Sequence, residues 1–109
     1  MLKVKLFVHD IELGCLTEID KGYVFSANKA GIDRAFKEYP IEMRRYNLVK
    51  SGTVLYRDVP PTFDEFLVYT SRGDLIERAG ITGEDSDLER IYKLAGLDMM
   101  STIFTIKQG

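Results

Sequence analysis

Leu2, Val4, Leu6 and Val8 alternate with Lys3, Lys5, Phe7 and His9. A period of two is the side-chain repeat of a strand, so the spacing predicts a first strand with one buried face. Asp10 interrupts the pattern. Leu13 to Ile19 resumes it as a second strand, with Gly14 where a bulge or a close backbone approach is expected. Asp20-Lys21-Gly22 reads as a short turn whose glycine can take positive φ. Tyr23-Val24-Phe25-Ser26 follows as a third strand of residues that suit a pleated surface. The first 26 residues therefore predict an antiparallel meander.

The pattern then changes period. Over residues 29–38, Ile32, Ala35 and Phe36 fall on one face of a short helix, weakened by Gly31 and ended by Pro40. Tyr46-Asn47-Leu48-Val49 and Thr53-Val54-Leu55-Tyr56 read as a hairpin joined through Lys50-Ser51-Gly52. Pro60-Pro61 is a break, and Pro61 suits the first turn of a helix to about Tyr69, with Phe63, Phe66 and Leu67 sharing a face. Thr70 or Ser71 caps the next helix, which Gly80 ends. Ser86 opens a third, and Glu89 completes a Ser-x-x-Glu capping box. Leu88, Ile91, Tyr92 and Ala95 form its apolar stripe, and Gly96 terminates it. Thr102 to Ile106 is a closing strand. The expected fold class is α+β: an antiparallel sheet or partly closed barrel from the N-terminal strands, capped by the C-terminal helices.

The 109 residues form one domain (1–109), with no repeat, linker or low-complexity tract. At 45% hydrophobic and 29% charged residues the chain has an ordinary globular composition, which makes a core without staples feasible. No apolar run approaches the ~18 residues of a membrane span, and the alternating start does not read as a signal peptide. A single cysteine, Cys15, rules out an intramolecular disulfide, and a reducing, cytoplasmic setting is expected. The net charge of −2 is unevenly spread. Residues 29–57 hold seven basic and three acidic side chains, whereas residues 58–109 hold five and ten. Such asymmetry can steer a charged partner, unless folding mixes the two blocks.

Chemistry is sparse. With one histidine, His9, and one cysteine, zinc geometry would need several carboxylates. Glu84-Asp85-Ser86-Asp87 lacks the spacing of a calcium loop and fits a helix N-terminus, where negative charge is favoured. Cys15 in mid-strand is expected to be a small buried hydrophobe, although His9 could approach it across the hairpin. Gly73, Gly80 and Gly83 do not form a phosphate-binding loop. Arg72-Gly73-Asp74 matches an adhesion tripeptide, which is read as coincidence at a helix start. No catalytic, cofactor or metal site is assigned, and the chain is not expected to be an enzyme. Arg44-Arg45-Tyr46, beside Lys37 and Lys50, has the composition of a nucleic-acid patch, but the sequence pI of about 5.4 and the absence of a recognition module make a solvated face the simpler reading.

Tyr56, Phe63, Phe66 and Tyr69 stand around the Pro-Pro corner. A helical stripe of aromatics is usually core, yet aromatics are also what buried interface anchors use. Phe63 and Tyr69 are the preferred anchors; six residues apart, they would lie on different sides of a regular helix, one packing inward and one outward, with Phe66 directed into the core.

The opening strand, Leu13-Gly14-Cys15-Leu16-Thr17 and Gly22-Tyr23-Val24-Phe25-Ser26 together resemble the start of HipA-type serine/threonine kinases. Pro61, Phe63, Phe66, Leu67, Leu75 and Gly80-Ile81 are similar to a later Pro-x-Phe-x-x-Phe-Leu segment of that family, and Leu94-Ala95-Gly96 to the end of its closing helix. The resemblance covers nearly the whole chain through short motifs. Val68-Tyr69-Thr70 departs from the family's Pro-Glu-Gly, and the family's kinase core has no counterpart in these 109 residues. The resemblance therefore implies the stand-alone small subunit of a tripartite toxin–antitoxin system. Such a subunit is expected to bind and neutralise a HipA-like kinase toxin, with DNA left to a separate helix-turn-helix protein. The partner-binding residues it implies are Tyr56, Pro61, Phe63, Phe66, Tyr69 and Arg72. The alternative is a small nucleic-acid-binding module or operon co-repressor using Arg44, Arg45 and Tyr46.

Overall fold

The computed structural model describes residues 2–63, 73–96 and 103–109. Its strands are β1 (Lys3–Val8), β2 (Ile11–Ile19), β3 (Gly22–Ala27), β4 (Thr53–Tyr56) and β5 (Phe104–Gln108). Its helices are α1 (Lys29–Glu38), α2 (Gly73–Ala79) and α3 (Asp87–Ala95), with a 3₁₀ turn over Glu42–Arg45. The strands form one open antiparallel sheet in the order β4-β3-β2-β1-β5, and every pairing in it is antiparallel. The fold is thus α+β, with the sheet open and not closed into a barrel.

One face of the sheet carries the core. Val4, Leu6 and Val8 are fully buried and lie beside Leu16, Gly14 and Ile11 of β2. Ile11 and Leu16 are five residues apart, so strict alternation would put them on opposite faces. A bulge resolves this. Leu6 pairs with Gly14 and Phe7 with Glu12, which leaves Leu13 as an extra residue on β2. The extra residue shifts the phase of the strand, so Ile11, Leu13 and Leu16 are all buried. It also extends β2 back to Ile11, two residues earlier than the pattern predicts.

Gly14 sits beside this bulge. A Cβ there would lie 2.4 Å from Phe25 Cζ and 2.7 Å from the Ser26 carbonyl oxygen. The ring of Phe25 occupies the room that a side chain would need. Helix α1 approaches the same strand as closely. Asn28 caps it through Oδ1, which accepts from the Gly31 N–H at 3.0 Å, and the Asn28 N–H donates to the Leu13 carbonyl at 2.9 Å. A Cβ on Gly31 would stand 2.0 Å from the Glu12 carbonyl oxygen. The glycine that weakens the helix by propensity is therefore what lets it dock. Ile32 and Ala35 enter the core, and Phe36 packs at its edge.

Residues 46–49 do not form the expected hairpin partner of 53–56; β4 pairs with β3 instead. The reason is Tyr46. Its ring lies edge-on to both Phe36 and Phe104, and its hydroxyl donates to the Val49 carbonyl at 2.6 Å. Tyr46 and Leu48 are used as core filling, while 53–56 take the unpaired side of β3.

A helix does not start at Pro61 either. Thr62 has φ 78° and the Phe63 N–H closes a turn onto the Pro60 carbonyl at 3.3 Å, so the chain turns over the core at this point. The remainder of the expected 61–69 helix, with Phe66 and Leu67, lies outside the described residues, as do the expected caps Thr70 and Ser71. Gly80 follows α2 with φ 73°, as a left-handed C-terminal residue does. Helix α3 has the full capping box: the Glu89 N–H donates to Ser86 Oγ at 3.2 Å, and the Ser86 N–H to Glu89 Oε1 at 3.3 Å. Its core stripe is Leu88, Ile91 and Leu94, with Tyr92 and Ala95 at the margin. The closing strand begins at Phe104.

The close contact at Gly31 reverses an ordinary expectation. Gly→Ala inside a helix normally stabilises by about 1 kcal/mol. Gly31→Ala is expected to lower stability by about 1–3 kcal/mol, because the methyl meets a backbone carbonyl that cannot move alone. Urea unfolding of the two chains measures this, and a gain in midpoint would show that α1 does not dock so closely.

Candidate functional site

Of the six residues expected to bind a partner, three are described. Tyr56 ends β4, opposite Tyr23, half-buried against the core. Pro61 is half-exposed at the turn. Phe63 is fully buried, with its ring 6.1 Å from Phe25 at an interplanar angle of 65°. Phe63 is thus turned into the core, and no ring at 63 is left on the surface for a partner. Phe66, Tyr69 and Arg72 lie outside the described residues.

The contact between Phe63 and Phe25 joins three stretches of sequence. Gly14 in β2 leaves the space, Phe25 in β3 fills it, and Phe63 after the Pro-Pro corner packs edge-on against Phe25. Edge-to-face aromatic pairs of this spacing add about 0.5–1.5 kcal/mol beyond the area they bury. The segment that leaves β4 is thereby fastened back onto the sheet. Pro60 and Thr62 are buried with it, and Thr62 Oγ1 accepts from the Asn47 N–H at 3.4 Å.

The proposed nucleic-acid patch comes apart. Arg44 and Arg45 are exposed on the 3₁₀ turn, but Tyr46 is in the core and offers no face on which a base could stack. Burial pushes its hydroxyl pKa well above the usual tyrosine value, which agrees with a hydroxyl held as a donor to Val49. Lys50 lies over the ring of Phe36 at 4.8 Å.

Cys15 and His9 are likewise kept apart. Cys15 opposes Lys5 in β1 and Ser26 in β3, on the face of the sheet away from the core. His9 lies four residues beyond Lys5, about 13 Å along an extended chain. It takes φ 53° in the β1–β2 turn, packs on Tyr39 with ring centroids 4.2 Å apart, and reaches Glu42 Oε2 at 3.2 Å through Nε2. Cys15 is half-exposed, not buried as expected, because its place in the register faces outward. Desolvation nonetheless raises its thiol pKa, opposed in part by Lys3, so the environment does not generate a thiolate.

The acidic run is satisfied locally. Asp85 accepts from Lys93 Nζ at 2.7 Å and from the Thr82 N–H at 2.9 Å, and Ser86, Asp87 and Glu89 occupy the first turn of α3. Among the described residues, no three His, Cys, Asp or Glu side chains converge to hold a metal ion. None of the described helices is long and apolar enough to cross a membrane.

Among the described residues, two large hydrophobic side chains are strongly exposed, Ile41 at 71% and Leu55 at 64%. Leu55 alternates with Val54 and Tyr56, so a period-two reading of β4 alone would have set it on the face opposite to theirs.

No protein-family profile and no curated protein matches this chain.

Two outcomes follow. Phe63→Ala is expected to cost about 3–5 kcal/mol of stability, as truncation of a buried Phe does, and calorimetry or urea unfolding reads it. The Asp85 carboxyl pKa is lowered, first by Lys93 and then by the Thr82 N–H. A carboxylate with a depressed folded-state pKa contributes stability above its ordinary pKa and loses it as pH falls through the lowered value. Asp85→Asn is therefore expected to lower the melting temperature at neutral pH and to flatten its fall on acidification. A variant with the parental acid limb would show that the Lys93 contact carries no stability.

Proposed function

We propose that this protein is a binding subunit that engages and neutralises a HipA-like serine/threonine kinase. The observation that carries the reading is the meeting of Gly14, Phe25 and Phe63. These residues come from three separate motifs on which the resemblance to HipA-type kinases rests. A subdomain that these motifs specify would bring them together in this way.

The Pro60–Arg72 segment is the proposed interface. Its start is pinned by Pro60 and Phe63, so whatever follows is presented from a fixed point on the sheet. Tyr69 and Arg72 are the proposed anchors, with Tyr56 and Pro61 as further contact residues; tyrosine and arginine are the residue types in which binding energy concentrates.

The test is co-expression with a HipA-like kinase encoded beside this gene, scored by growth and by co-purification of the two chains. The parental protein is expected to restore growth and to co-purify. Tyr69→Ala or Arg72→Ala is expected to weaken binding by about 2 kcal/mol, roughly thirtyfold. If both variants bind like the parent, the segment is not the interface. If the parental chain neither binds nor protects, the kinase reading fails.

A further inference from the structure

Helices α2 and α3 and the loop between them frame a cleft of about 240 Å³, lined by Ile76, Ile81, Thr82, Gly83 and Arg90. The loop is held in place on both sides. The Ile81 N–H donates to the Ile76 carbonyl at 3.0 Å and the Thr82 N–H to Asp85 Oδ2 at 2.9 Å. From α3, Lys93 Nζ donates to the Gly80 carbonyl at 3.0 Å and to Asp85 Oδ2 at 2.7 Å. Arg90 is the charged residue of the lining. Its Nε–H is buried and has no hydrogen-bond acceptor, the one such side-chain atom among the described residues. Buried donors in folded proteins are nearly always paired. Asp87 Oδ1 lies 4.0 Å from Arg90 Nη1, beyond hydrogen-bond reach. The other carboxylates of the capping turn are committed, Asp85 to Lys93 and Thr82 and Glu89 to Ser86. Arg90 also stands one turn into α3, near the end at which the helix dipole disfavours a cation.

We propose that this cleft binds a carboxylate carried on a short apolar stem, with Arg90 as its anchor. Nε–H and an Nη–H on one edge of a guanidinium point the same way and match the two oxygens of a carboxylate. Phosphate offers similar oxygens, but the surroundings favour a monoanion. Arg90 brings a single positive charge, Asp87 stands beside it, and Ile76 and Ile81 give the stem apolar walls. The volume is below the ~300–1,000 Å³ of pockets for larger ligands, so the occupant is a small free acid or the terminal carboxylate of another protein's chain. One charge-assisted contact with little buried area gives an expected Kd of about 1–10 mM.

Proton–nitrogen NMR spectra of the whole chain, recorded during titration with isovalerate, test this without any partner kinase. The Arg90 Nε–H signal and the Thr82 and Gly83 amides are expected to shift saturably. Isovaleramide has the same shape without the charge and is expected to leave them in place, as is inorganic phosphate. Arg90→Lys keeps the charge but loses the fork, and is expected to weaken binding at least tenfold. Asp87→Asn removes the competing carboxylate and is expected to tighten binding roughly threefold. Acetyl-leucine, titrated in parallel, distinguishes the sources: tighter binding than isovalerate assigns the cleft to a protein chain end, and weaker binding to a free acid. Either order supports the carboxylate assignment. The absence of a saturable shift by about 50 mM isovalerate overturns the proposal. So do equal shifts with isovaleramide or phosphate, or an Arg90→Lys chain that melts and binds like the parent.

Discussion

The absence of a side chain at Gly14 is the constraint on which the rest of the structure depends. It lets the Phe25 ring lie across β2 where a Cβ would stand 2.4 Å away. Phe25 in turn presents the surface against which Phe63 packs edge-on. The contact closes the chain's long excursion through α1, the 3₁₀ turn and β4 back onto the central strands. The same stretch of β2 holds the bulge at Leu13, and the Leu13 and Glu12 carbonyls receive the N-terminal turn of α1. Bulge, aromatic packing and helix docking are thus one local arrangement of Glu12, Leu13 and Gly14.

Its consequence is a sheet covered on one side. Helices α1 and α3 contribute Ile32, Ala35, Leu88 and Ile91 to the same core as Val4, Leu6 and Phe25. The opposite face carries Lys3, Lys5, Cys15, Thr17, Val24, Ser26, Leu55 and Lys107, a mixture with one strongly exposed hydrophobic residue. Antiparallel sheets tolerate a solvated face. What they tolerate less well is a free edge, and short strands flanked by charge are the usual means of blunting one. Strand β4 has both features, with Lys50 before it and Arg57 and Asp58 after it.

Local signals in the sequence carried much of the fold. The period-two run in β1, the 3.6-period stripe of α1 and the Ser86–Glu89 capping box all act within a few residues, and each appears at its expected place. The strand pattern puts a bulge or close approach at Gly14, and it stands beside one and makes the other. The sequence misleads where tertiary contacts decide. Tyr46-Asn47-Leu48-Val49 has strand-like composition, but Phe36 on α1 and Phe104, far along the sequence, draw Tyr46 into the core. Pro61 favours a helix start locally, yet Thr62 turns at φ 78° because Phe63 is claimed by Phe25. The aromatics near the Pro-Pro corner were legible as a cluster. Which of them fills the core depends on Gly14, almost fifty residues earlier, and no local pattern contains that information.

The most direct measurement of this account is a double-mutant cycle on Phe25 and Phe63, with each replaced by Leu singly and together and unfolding free energies taken from urea titration. If the two rings hold one another over Gly14, the substitutions are non-additive, with a coupling of about 0.5–1.5 kcal/mol. Additivity within about 0.3 kcal/mol would contradict the claim that this contact closes the fold.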